Sequence, residues 1–157
     1  METLSPTFIY RHTKVRIVTE QHTEFIDLTE SLEELLAESR ILTGLLNVQS
    51  LHTTAAIVVN EGEPLLLTDF ECVLRKIAPD DVAYRHDDES IRTVNLNPGE
   101  RPNGSSHCKA LLLSSSACLN VLDGRLVLGR WQRVFLAELD GPRSRELSVL
   151  LIGEAAQ

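Results

Sequence analysis

Leu46-Asn47-Val48-Gln49-Ser50-Leu51-His52-Thr53-Thr54-Ala55-Ala56-Ile57-Val58-Val59-Asn60-Glu61 is the stretch on which the reading of the fold turns. Aliphatic and β-branched residues dominate both of its flanks, as strands require, and His52-Thr53-Thr54 interrupts them with a short polar crossing. The pattern predicts strand, crossing, strand, with Val58 and Val59 delivering Asn60 and Glu61 to an exit. Packing a histidine, two hydroxyls and a carboxylate around an apolar segment costs stability unless each finds a partner. On these residues alone two explanations carry equal weight: a functional site, or a turn shaped by Thr53 and Thr54 beside a satisfied core histidine.

Upstream, residues 10–19 have β-branched character and predict a strand, and residues 24–28 a second, shorter one. His12 and His22 fall in polar flanks and read as solvated. Leu28, Leu32, Leu35 and Leu36 then lie at helical spacing, with Asp27 or Thr29 as N-cap and Glu30, Glu33 and Glu34 at the positive end. Gly44 marks the return to extended chain. Downstream, Pro64 opens and Pro79 closes a second helix whose Leu66, Phe70, Val73, Leu74 and Ile77 share one face. The C-terminal part reads as a meander. Residues 119–122 and 125–128 flank the hairpin signal Asp123-Gly124, residues 131–139 carry aliphatic side chains on both faces, and residues 145–152 form a last strand. Hairpins there exclude a doubly wound parallel sheet. The element order predicts one domain over residues 1–157: a mostly antiparallel α+β sandwich with two main helices and a short third.

Composition sets bounds. The chain's 157 residues suit one domain with a sizeable core, and 43% hydrophobic with 24% charged residues is ordinary for a globular chain. A formal net charge of −8 argues against a nucleic-acid partner but leaves room for a small anion held by a local cluster of Arg, His and helix amides. No apolar run reaches membrane-spanning length, and Met1 to Pro6 lacks the basic start and apolar core of a signal peptide. The expected location is the cytoplasm, with no membrane partner. Cys72, Cys108 and Cys118 form no CxxC pair and read as buried free thiols.

Residues 80–106 are polar and irregular, and a connection this long inside a compact domain is usually functional or disordered. It ends in Asn103-Gly104-Ser105-Ser106-His107, read as the start of a third helix with Ser105 as N-cap. A helix start binds anions because its first N–H groups lack partners and its dipole is positive there, so Ser105 and Ser106 are the expected phosphate holders. The same field disfavours a protonated imidazole, so His107 is expected to be neutral.

Five groups of residues, in order, carry a resemblance. They are His52-Thr53-Thr54-Ala55-Ala56 leading to Asn60-Glu61; Tyr84-Arg85-His86; Asn103 to His107 with Lys109-Ala110; Gly129-Arg130-Trp131-Gln132; and Asp140-Gly141-Pro142-Arg143 with Arg145. Together they resemble the YjbQ family, from about Gly44 to the C-terminus. The resemblance implies an α+β unit with a seven-stranded β-sandwich, assembled as a homotrimer with sheets packed around the threefold axis. For some members it also implies a secondary thiamine-phosphate synthase activity, a transferase reaction joining a pyrimidine diphosphate to a thiazole phosphate with loss of pyrophosphate. There is one departure. Many relatives carry an Asp two residues before the histidine that aligns with His107, where this chain has Ser105, so that carboxylate's role would pass to Glu61, Asp87 or water.

On that reading the chain is an enzyme acting on a small phosphorylated molecule. His52, His86 and His107 are the expected ligands of a divalent metal, zinc or magnesium. Glu61 and His107 are the expected catalytic groups, and Ser105, Ser106 and Arg143 the anion-binding set. The alternative is a non-catalytic trimeric module that binds a small anionic metabolite. The doubly apolar strand at residues 131–139 separately asks for cover from another chain.

Overall fold

The computed structural model describes residues 7–97 and 99–155; Met1 to Pro6, on which the signal-peptide expectation rests, and Pro98 lie outside the described residues. The elements run β1 (Thr7–Val18), β2 (Glu24–Asp27), α1 (Thr29–Ser39), β3 (Ile41–Ser50), β4 (Ala55–Glu61), α2 (Pro64–Ile77), a single 3-10 turn (Arg85–Asp87), α3 (Gly104–Leu111), β5 (Ser116–Leu122), β6 (Arg125–Leu126), β7 (Gln132–Glu138) and β8 (Ser144–Ala155). Five strands form one sheet in the order β1-β8-β3-β5-β6, and three form another in the order β2-β7-β4. Every pairing is antiparallel. This is the expected α+β architecture with two main helices and a short third. Eight strands are described rather than seven, the hairpin partner β6 shrinking to two residues.

The core lies between the sheets. Leu46, Val48, Val121, Val149 and Leu151 of the larger sheet meet Ile57, Val134 and Leu136 of the smaller, and α1 adds Leu32 and Leu36. Glu63 caps α2 by accepting the Leu65 and Leu66 N–H groups beside Pro64. Asp123 and Gly124 both take positive φ, as a tight hairpin turn requires. Gly44 and Gly153 face each other across β3 and β8. A Cβ on Gly44 would sit 2.1 Å from the Ile152 carbonyl oxygen, so only glycine allows the strands to approach there.

Two expectations fail. The first is that β7 needs cover from another chain. Val134 and Leu136 point into the core; Phe135 and Ala137 lie on the opposite face, where α2 docks through the edge-to-face pair Phe25–Phe70 at 5.8 Å. One chain therefore buries both faces of β7. One set of uncovered apolar groups lies on the outer face of the larger sheet, where Tyr10 is 74% exposed and Leu45, Leu122 and Leu150 are exposed too. The second is that the thiols are buried. Cys72, Cys108 and Cys118 are unpaired as expected but exposed. Cys118, for example, alternates with buried Leu119 on β5 and so faces outward. Among the described residues no helix is long and apolar enough to cross a membrane.

Candidate functional site

Three connections carry the chain from one sheet to the other at the same end of the sandwich: residues 19–23, 51–54 and 139–143. Residues 51–54 make one of these crossings because β3 and β4 belong to different sheets. The three are tied together by backbone. The Thr19 N–H donates to the Arg143 carbonyl at 2.9 Å, Leu139 N–H to the Thr54 carbonyl at 3.2 Å, and Gly141 N–H to the His22 carbonyl at 2.9 Å. Helix α3 joins them through Ser106, whose hydroxyl donates to the Leu139 carbonyl at 2.5 Å. A cleft of about 410 Å³ opens where these segments meet, lined among others by His52, Thr54, His86, Arg92, Asn103 and His107.

The floor of the cleft is a buried charge network. Arg145, 4% exposed, donates Nε to Glu138 Oε2 at 2.6 Å and Nη2 to Oε1 at 2.5 Å, and Glu138 is fully buried. Nη2 also reaches Thr54 Oγ1 at 3.0 Å. Glu138 further accepts the Leu139 and Asp140 N–H groups and the Thr19 hydroxyl. Burial pushes the Glu138 carboxyl upward, but the Arg145 hydrogen bonds and the Asp140 amide outweigh it, leaving the group below its ordinary range. Next to it, buried Asp140 accepts Asn103 Nδ2 at 3.1 Å and Arg143 Nη2 at 2.7 Å, both on Oδ2.

The three imidazoles share this cleft, as expected. His86 and His107 stand edge to face with ring centroids 4.6 Å apart. His52 Nε2 accepts the Glu146 N–H at 2.8 Å, which places the proton of the neutral ring on Nδ1. Burial lowers the His52 pKa below the ordinary value, with Arg145 next in effect; burial and then His86 lower His107. Both rings are thus neutral near pH 7, as expected for His107.

The helix start departs from expectation. Asn103, not Ser105, occupies the N-cap position, and Asp87 Oδ1 fills the site by accepting the Asn103 and Gly104 N–H groups, each at 2.9 Å. A carboxylate of the chain sits where a phosphate was expected. Ser105 turns to Asp80 Oδ1 at 2.7 Å, which also takes buried Lys109, and Ser106 is committed to Leu139. Neither hydroxyl lines the cleft. Glu61 lies at the far end of β4, six strand residues from Ala55 or roughly 20 Å away, and so cannot serve this cleft within one chain. Of the expected anion-binding residues, Arg143 alone lines it.

The family model described as UPF0047 protein YjbQ-like matches residues 13–154. The chain belongs to the YjbQ family. It is 39% identical to a UPF0047 protein of Methanothermobacter thermautotrophicus over 136 residues, 87% of each chain, and 32% identical to YugU of Bacillus subtilis, covering 88% of this chain and 97% of that one. Its fold is similar to that of a YbjQ-like protein of unknown function from Sulfolobus solfataricus, with TM-score 0.83, 29% identity and coverage of 94% and 100%. An uncharacterized YjbQ/UPF0047-family protein of Clostridium acetobutylicum is similar too, with TM-score 0.77, 31% identity and coverage of 88% and 98%.

In this YjbQ-family chain the expected three-histidine metal centre does not fit the donor set. Coordination by His52 Nε2 would break its bond to the Glu146 amide, and its Nδ1 carries the proton. Among the described residues no group of three or more His, Cys, Asp or Glu side chains is placed to hold a metal ion, whereas a catalytic zinc takes three protein ligands. What sequence reasoning missed is the charged floor. Its signal was present: Glu138 stands in the apolar run 134–139, where an ionised side chain requires a buried partner.

Proposed function

We propose that this YjbQ-family protein binds a small phosphorylated molecule in the cleft and acts on it with neutral His107 and His52 hydrogen-bonded to the reacting groups. One observation carries the reading. Two buried polar atoms of residues that line the cleft, His86 Nε2 and Asn103 Oδ1, have no partner among the described residues. Each such group costs roughly 1–3 kcal/mol when left unpaired, so a ligand that supplies partners is held there. Arg143 is the anion clamp. It is 35% exposed and uses Nε and one Nη on Asp140, leaving guanidinium donors for a phosphate. Neutral His107 accepts a hydrogen bond at pH 7, and His52 donates one from its Nδ1–H.

The family resemblance suggests the first reaction to test. The thiazole nitrogen of a thiazole phosphate bonds to the methylene carbon of a pyrimidine diphosphate as the carbon–oxygen bond to the diphosphate breaks and pyrophosphate leaves. Arg143 steadies the leaving group. Calorimetry with inorganic phosphate and a turnover assay with these two substrates test the reading. Arg143→Ala is expected to weaken phosphate binding by roughly tenfold or more, as loss of a charge-assisted hydrogen bond does. His107→Ala keeps binding and loses turnover. Phosphate binding without wild-type turnover selects the non-catalytic binding module instead, and no phosphate binding refutes both. We also propose self-association through the outer face of the larger sheet, with the number three supplied by the family resemblance. Tyr10, Leu45, Leu122 and Leu150 are the groups such a contact would cover.

A further inference from the structure

We infer that the cleft selects anions that carry a proton: Asn103 Oδ1 accepts a hydrogen bond from the ligand, so hydrogen phosphate is favoured over a fully ionised anion of the same shape, such as sulfate. The inference rests on the reading of the cleft as a phosphate site, and a phosphate ester is then held there as the form that keeps one P–O–H.

The orientation of the Asn103 amide is fixed by chemistry. Its other end meets Asp140 Oδ2 at 3.1 Å, and a carboxylate paired with Arg143 accepts, so the nitrogen faces Asp140 and the oxygen is left over. That oxygen is buried, has no donor among the described residues, and belongs to a residue that lines the cleft and is only 4% exposed. Arg143 and Asn103 both touch Asp140 Oδ2, so the clamp for the negative charge and the unpaired acceptor are neighbours. The α3 amides do not compete for the same anion, because Asp87 already fills them. An anion with no proton placed against Arg143 meets Asn103 Oδ1 and the Asp140 carboxylate as lone pair against lone pair. A P–O–H turns one of these contacts into a hydrogen bond. A site built around such an acceptor rejects analogues that lack the donor, because its polar atom is then buried unpaired.

Hydrogen phosphate and sulfate make the test clean, since at pH 7.5 both are mainly tetrahedral dianions and differ in the proton. Calorimetric titration of the full chain is expected to show phosphate binding about tenfold tighter or more, the scale of one buried acceptor left unsatisfied. In Asn103→Ala the phosphate-to-sulfate ratio falls toward one; in Arg143→Ala both affinities fall and the ratio persists. The wild-type ratio decides the matter even if Asn103→Ala fails to fold. Equal wild-type affinity for the two anions overturns the inference and leaves the phosphate-site reading standing. Binding of neither anion overturns that reading itself.

Discussion

Replacing Arg145 with Met tests whether the floor of the cleft is held by charge. The side chains have similar length, but Met leaves Glu138 fully buried with three donors, Leu139 N–H, Asp140 N–H and the Thr19 hydroxyl, and no cation. Breaking a buried pair by removing one partner costs about 3–5 kcal/mol, because the remaining charge is uncompensated. At about 2–4 °C per kcal/mol for a chain of this size, the melting temperature should fall by roughly 6–20 °C. Urea unfolding at pH 7.5 measures the free energy directly. The double variant Glu138→Gln/Arg145→Met removes the stranded charge and keeps an amide oxygen for the Leu139 and Asp140 N–H groups, while the Thr19 hydroxyl can donate to the Arg143 carbonyl instead, so it should recover more than half of the loss. The pH dependence has a definite sign. Without Arg145, burial raises the Glu138 pKa above its unfolded value, so the penalty is full at high pH and is relieved as pH falls through the raised value. The reasoning is refuted if Arg145→Met costs less than about 1 kcal/mol, well below the range for a broken buried pair, or if the double variant is no more stable than the single one.

Three further outcomes follow from the geometry. Gly104→Ala would place a Cβ 2.5 Å from Tyr84 Cβ, so thermal unfolding should show a loss of about 1–3 kcal/mol, with the His86 turn displaced in the His86 and His107 ring resonances. Both His52 and His107 titrate below the ordinary histidine value, so the unfolded chain binds protons that the folded chain does not. Stability should therefore fall as pH drops below about 6.5 toward their folded values, and His107→Gln should flatten that slope in urea titrations. Sedimentation at micromolar concentration should give a trimer, and Tyr10→Lys with Leu150→Lys on the outer face of the larger sheet should give monomer; a wild-type monomer would remove the assembly from the account.

What was legible in the sequence follows period and punctuation. The α2 stripe, Pro64, Asp123-Gly124 and the polar break at His52-Thr53-Thr54 each act within a few residues, and each element appears within a few residues of where they place it. The convergence of His52, His86 and His107 was legible through the family resemblance, not through spacing, since 34 and 21 residues separate them in sequence (86 minus 52, 107 minus 86). The rest depended on pairings no local pattern encodes. Ser105 reads as a cap, yet Asp87, from a turn 17 residues upstream of Gly104, takes that place and turns Ser105 toward Asp80. Glu61 reads as close to His52, but a strand carries it to the other end of the sandwich. Trp131 to Leu139 reads as a strand awaiting a partner chain, yet the chain itself buries Val134 to Leu139, and Trp131 stays exposed.

The most direct test of the central claim is nitrogen-detected imidazole NMR of the five histidines while inorganic phosphate is added to the full chain. The account predicts saturable shifts at His52, His86 and His107, all of which line the cleft, with His12 and His22 unmoved and all shifts abolished or weakened in Arg143→Ala. Shifts of equal size at His12 and His22, or no response of the cleft rings at millimolar phosphate, would contradict it.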